Sequence, residues 1–183
     1  MRVVTFDFEA AARWAADLLA LPLPDDAARL ARETVTCASL NVPDLRSDAA
    51  PVPLTEWLDL DSAALLAQVR AAPAGAGQPD GPGGLAGVIV PGCAFAACRE
   101  NDLPLAAALL ELLLHWRLPH AADVADFLAF QQRADGACGY LNPLRPAPHA
   151  RHEAALRFHL PATHAITRAL AACELSGVAR ANA

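Results

Sequence analysis

The sequence predicts an all-α protein of stacked helical hairpins, and three observations carry that prediction. Alanine and leucine supply most of an apolar content of 55%, while aromatics make up only 5%. Both residues favour helix. Apolar residues recur at helical spacing in segments that prolines and polar turns interrupt. A start of apolar-Pro-apolar/small recurs at Val52-Pro53-Leu54-Thr55, Leu103-Pro104-Leu105-Ala106 and Leu160-Pro161-Ala162-Thr163, with the prolines 51 and 57 residues apart. Proline suits the first helical turn, where its missing N–H has no helical partner. A period of this size with two helices per unit predicts stacked hairpins. Unrelated prolines opening helices, in a chain with 15 of them, are the alternative.

The elements follow in order. Phe8 to Leu21 is predicted as a helix capped by Asp7, with Phe8, Ala11, Ala12, Ala15, Leu18 and Leu19 on one face. Leu21-Pro22-Leu23-Pro24 breaks it. A second helix starts near Pro24, with Asp25 and Asp26 in its first turn, and reaches about Leu40. Asn41 to Val52 is a loop, and a third helix runs from about Pro53 to Ala72. The stretch 73–84 is a flexible Gly/Pro-rich linker within a single domain spanning 1–183. A helix from about Ala86 carries Pro91 and the kink expected there. Leu103 to Trp116 is apolar nearly all round and therefore buried. Pro119 opens a helix that ends at Arg133. A proline-rich loop leads to a last helix from about Pro161 to Leu175, with Gly177 as its C-cap.

Between the last two helices lies the stretch FLAFQQRADGACGYLNP, from Phe127 to Pro143. Gly136 and Gly139 mark a tight turn that needs positive φ. Gln132, Asp135, Gly136, Gly139 and Tyr140 together resemble the helix-turn element of the α/α-toroid superfamily, the terpenoid cyclases and protein prenyltransferase β subunits. The resemblance covers about residues 103–176 and implies a partial α/α-toroid. It also implies that Gln132 caps the start of a helix and that its aromatic neighbour stacks on it. Cys138 stands where that family has an aromatic or small residue. A closed toroid takes about six hairpins, and this chain supplies three or four.

Composition bounds the function. The net charge is −6, which argues against a nucleic-acid partner. Residues 1–144 hold nine Arg and 18 acids, a net of −9, whereas residues 145–183 hold five Arg and two acids, a net of +3, with four of the six His. That basic segment is either a solvated face or a local site for an anionic group. The start of the sequence lacks the apolar core of a signal peptide, and no apolar run is long enough to span a membrane. Five cysteines without paired spacing read as reduced thiols, and the expected location is cytoplasmic.

The catalytic motifs of the resembled family are mostly incomplete here. Asp59-Leu60-Asp61-Ser62 is similar to the cyclases' acidic motif with its last carboxylate replaced, and on one helix Asp59 and Asp61 would point apart. Asp25-Asp26 lacks the rest of an Asp-rich metal motif. Asp135, Cys138 and His159 or His164 are the residue types of the prenyltransferase zinc site, at a different spacing. Cys138 with a histidine would make a nucleophilic pair. The weak catalytic candidates are thus Asp59, Asp61, Asp135 and Cys138, and the weak metal candidates Cys138, His159 and His164; no cofactor is expected.

The sequence therefore predicts a non-catalytic helical scaffold or accessory protein in a bacterial biosynthetic pathway. It would bind a protein or peptide partner, or associate with itself, through apolar surface on the helices of 103–116 and 161–175. The alternative is a small enzyme of terpenoid-cyclase or prenyl-transfer type.

Overall fold

The computed structural model describes residues 5–42, 47–72, 84–139 and 155–177. Helix α1 is Phe8–Leu19 and α2 is Asp25–Ala38. A 3-10 segment, Leu54–Asp59, precedes α3, Ser62–Ala71. Then come α4, Ala86–Glu100, α5, Leu103–His115, and α6, Ala121–Phe130. A π-helical turn, Ala155–His159, runs into α7, Leu160–Ser176. Among the described residues there is no strand, only an isolated antiparallel bridge between Gln132 and Cys138. The all-α expectation holds.

Caps account for several of the boundaries. Asp7 accepts a hydrogen bond from the Ala10 N–H at 2.8 Å, so α1 starts as expected. Asp102 does the same for the Leu105 N–H at 3.2 Å, and Pro104 lies in the donor-free first turn of α5. Gly177, at φ +75°, closes α7 in the left-handed conformation. Pro91 lies buried inside α4, where a proline removes one helical hydrogen bond.

Three expectations are corrected. The helix expected from Pro53 to Ala72 is two elements: Leu60 is extended, and the Asp61 carboxylate captures the Ala64 N–H at 2.8 Å to start α3 afresh. Pro53 therefore opens a 3-10 turn, whereas Pro104 and Pro161 lie at the starts of α-helices. The helix expected from Pro119 to Arg133 is shorter at both ends, because His120 is left-handed at φ +70° and the chain peels into a turn after Phe130. The expected loop before Pro161 is helical from Ala155 onward. The stretch 73–83 of the expected linker lies outside the described residues.

Helix α7 is the hub. It packs on α2, α5 and α6 and touches α1. Eleven of its 17 residues are buried, and it carries Thr163, His164, Thr167 and Arg168 into the interior. The main core gathers Val90, Leu109, Leu110, Leu113, Val124, Leu128 and Ile166, all fully buried. Gly139 lies against Leu103 and Ala162, at the starts of α5 and α7, and Glu111 meets Arg168 further along both. The two helices therefore run in the same direction, side by side.

Candidate functional site

The turn after α6 is a strut. The Arg133 N–H donates to the Ala137 carbonyl at 2.8 Å, and the Gly139 N–H donates to the Gln131 carbonyl at 3.0 Å. Gly136 and Gly139 both take positive φ, at +92° and +99°. Gln132 reaches the start of α1: its Oε1 accepts from the Asp7 N–H and its Nε2 donates to the Asp7 carbonyl, both at 2.7 Å. One side-chain amide thereby clamps the residue that caps α1. Tyr140 lies outside the described residues.

The candidates taken from the sequence divide by location. Asp59 and Asp61 are exposed, on separate elements, and Asp61 is occupied as a cap. Asp135 is gripped on both oxygens by Arg133, at 3.2 and 3.1 Å. Cys138 is fully buried, and burial pushes its thiol up to about 12, with a Thr163 hydrogen bond opposing and Asp135 adding to the shift. At neutral pH it is a protonated thiol and not a nucleophile. His159 does stand beside it, but its Nδ1 meets the Cys138 carbonyl at 3.0 Å rather than the thiol. A carbonyl only accepts, so Nδ1 carries the proton. Nε2 lies 3.4 Å from Arg133 Nη1 and takes the acceptor role. With both ring nitrogens engaged, His159 braces the turn. Among the described residues no three His, Cys, Asp or Glu side chains converge as a metal set, so Cys138, His159 and His164 do not form one.

His164 belongs to a different place. A cleft of about 330 Å³ opens between α3, α5 and α7. Its polar wall consists of Arg70, Glu111, His115, His164, Arg168 and Ser176. Val69, Ala108, Leu112, Ala165 and Ala172 supply apolar surface between them. On α7, His164, Arg168 and Ala172 recur every fourth residue, so one helical face looks onto the cleft.

Arg168 Nη2 donates to Glu111 Oε2 at 2.7 Å. The arginine side chain is 9% exposed and the glutamate 26%, so the acid sits on the solvent side of the pair. Arg168 Nε is buried and finds no hydrogen-bond partner among the described residues, and neither does His164 Nδ1. The other ring nitrogen of His164 stands 3.7 Å from Glu33 of α2, which pairs in turn with Arg29. Burial lowers the pKa of His164; Glu33 opposes this, while Arg168, Arg70 and Arg29 reinforce it. Cys37, one turn beyond Glu33, is buried behind this group. Its thiol is pushed up to about 11 by burial, with Arg168 pulling down and Glu111 and Glu33 pushing up.

Sequence reasoning singled out His164 as a metal candidate and did not find Glu111 or Arg168. Glu111 is the sole ionisable residue between Leu103 and Leu114, and Arg168 interrupts the apolar run of α7. A charge inside an otherwise buried helix was the available signal. No protein-family model, curated protein or solved structure matches the chain. Among the described residues no helix is long and apolar enough to cross a membrane.

Proposed function

We propose that the chain is a non-catalytic scaffold or accessory protein, and that a peptide or protein partner docks in the cleft between α3, α5 and α7. The observation that carries this is the cleft itself. It lies on the two helices whose surface the sequence marks for partner binding, and its size is at the low end of ligand sites. The surface differs from the expected one. Most apolar residues of α5 and α7 are buried in the core, and the cleft is bordered by small side chains and charges.

The partial toroid remains part of this reading. Gln132 clamps the start of α1, the role that the glutamine has in the resembled family, and α5 and α7 run in parallel as neighbouring helices of one layer would. An enzyme of the cyclase or prenyl-transfer type would draw on Asp59, Asp61, Asp135 and Cys138. Asp59 is exposed, Asp61 caps α3, Asp135 is ion-paired with Arg133, and Cys138 is buried.

The test compares three variants in a pull-down from the native source read by mass spectrometry, with folding checked by circular dichroism. Ala108→Trp fills the cleft from α5 and is expected to lose the captured partner. Asp135→Asn and Cys138→Ser are expected to retain both the partner and cellular activity. A folded but inactive Asp135→Asn or Cys138→Ser protein overturns the scaffold reading in favour of the enzyme.

A further inference from the structure

We propose that the cleft between α3, α5 and α7 is a carboxylate-binding site whose anchoring cation is Arg168. This deepens the reading of the cleft as a partner site by naming the chemistry that fills it. A guanidinium carries five N–H donors and accepts nothing. Arg168 is buried, gives Nη2 to Glu111, and leaves Nε with no partner among the described residues. A cation that is mostly buried, lines a cleft and has so few acceptors among the described residues calls for an oxyanion, and a carboxylate is a natural partner of a guanidinium.

Local charge agrees. The chain as a whole is at −6, yet among the described residues the cleft wall holds Arg70 and Arg168 against one acid, Glu111, with His115 and His164 beside them. The two further charges close to His164, Arg29 and Glu33, cancel each other. Counted over the described residues, the wall therefore keeps one net positive charge in a chain that is acidic as a whole. Glu111, the more exposed half of its ion pair, orients the guanidinium and also competes with an incoming acid.

The rest of the wall sets the form of the ligand. Val69, Ala108, Leu112, Ala165 and Ala172 offer apolar surface, and a space of about 330 Å³ takes a short branched stem rather than a long chain. A carboxylate on a short apolar stem comes from two sources: the C-terminus of a peptide ending in an aliphatic residue, or a free aliphatic acid.

Three probes distinguish them: acetyl-Ala-Ala-Leu with a free C-terminus, the same peptide as its C-terminal amide, and 4-methylpentanoate. Binding to the full chain is read by NMR titration at constant ionic strength. The free-acid peptide is expected to bind at least about tenfold more tightly than the amide, the weight of one charge-assisted contact. If 4-methylpentanoate binds as well as the peptide, the source is a free acid; if it binds far more weakly, the source is a C-terminus. Arg168→Gln is expected to lose about tenfold or more in affinity for the better acid. Glu111→Gln removes the competing carboxylate and is expected to bind that acid at least as tightly as the native chain, an outcome that a purely structural ion pair would not give.

Failure of both acids to bind, an amide that binds as tightly as the acid, or a folded Arg168→Gln protein with native affinity each overturns the proposal. Should Arg168→Gln fail to fold, the Glu111→Gln result decides, and weaker binding there overturns it. Loss of acid binding with the Ala108→Trp capture result intact removes the carboxylate chemistry alone. Acid binding without a captured partner removes the partner protein alone.

Discussion

Gly136 and Gly139 share a sequence signature and a backbone sign, yet they do different work. A Cβ added at Gly136 would fall onto the backbone carbonyl of Ala10 in α1, which cannot yield as a side chain can. At Gly139 the nearest neighbours are side-chain atoms of Leu103, His159 and Ala162, between 3.5 and 3.9 Å away. Gly139→Ala therefore carries only the left-handed penalty of about 1–2 kcal/mol. Gly136→Ala adds an overpacking term of about 1–3 kcal/mol. Thermal melts are expected to rank Gly136→Ala clearly below Gly139→Ala, and equal melting temperatures would contradict this account. The same scale holds a pH prediction. His164 has a lowered pKa in the folded chain, chiefly from burial, so below about pH 6.5 the unfolded chain takes up a proton that the folded one resists. Stability from this residue is complete above that pH and falls as the pH drops toward the native pKa. Melting temperatures of the native chain are expected to decline over that interval more steeply than those of His164→Asn.

Elements were legible where a local signal decides them. The Asp7 cap, the Pro104 start and the Gly177 stop each act within one turn of chain, and each was found in the sequence. The break between the 3-10 segment and α3 was missed because Leu60 interrupts no apolar pattern; the capture of the Ala64 N–H by Asp61 makes the boundary. This turns the two carboxylates of the Asp59-Leu60-Asp61 stretch into a structural contrast. Asp61→Ala is expected to lose about 1 kcal/mol of stability with its cap. Asp59→Ala, at an exposed position, is expected to stay within about 0.5 kcal/mol of the parent. Urea titrations of the two variants check the difference, and equal losses would remove the capping explanation. The shortened helix before the turn has a similar origin. His120 and Arg117 take left-handed φ, a conformation that is uncommon outside glycine and that nothing in the residue type announces at an arginine.

At the scale of the whole molecule, the fold class was readable because burial of alanine and leucine at helical spacing is a property of segments. The cleft was not, because it joins residues 57 positions apart, and only packing brings Glu111 and Arg168 to 2.7 Å. The reach of Gln132 to Asp7 is longer still, across 125 residues, and α2 rests on α7 at the far end of the chain. The hairpin of α1 and α2 thus leaves the ribosome well before α7, on which it rests. Until α7 emerges, the face that α2 turns to it must wait in solvent. Such long-range closure slows folding and exposes apolar surface during synthesis. A nascent chain that holds α1 and α2 but not yet α7 is therefore a stage of synthesis at which a chaperone has apolar surface to cover.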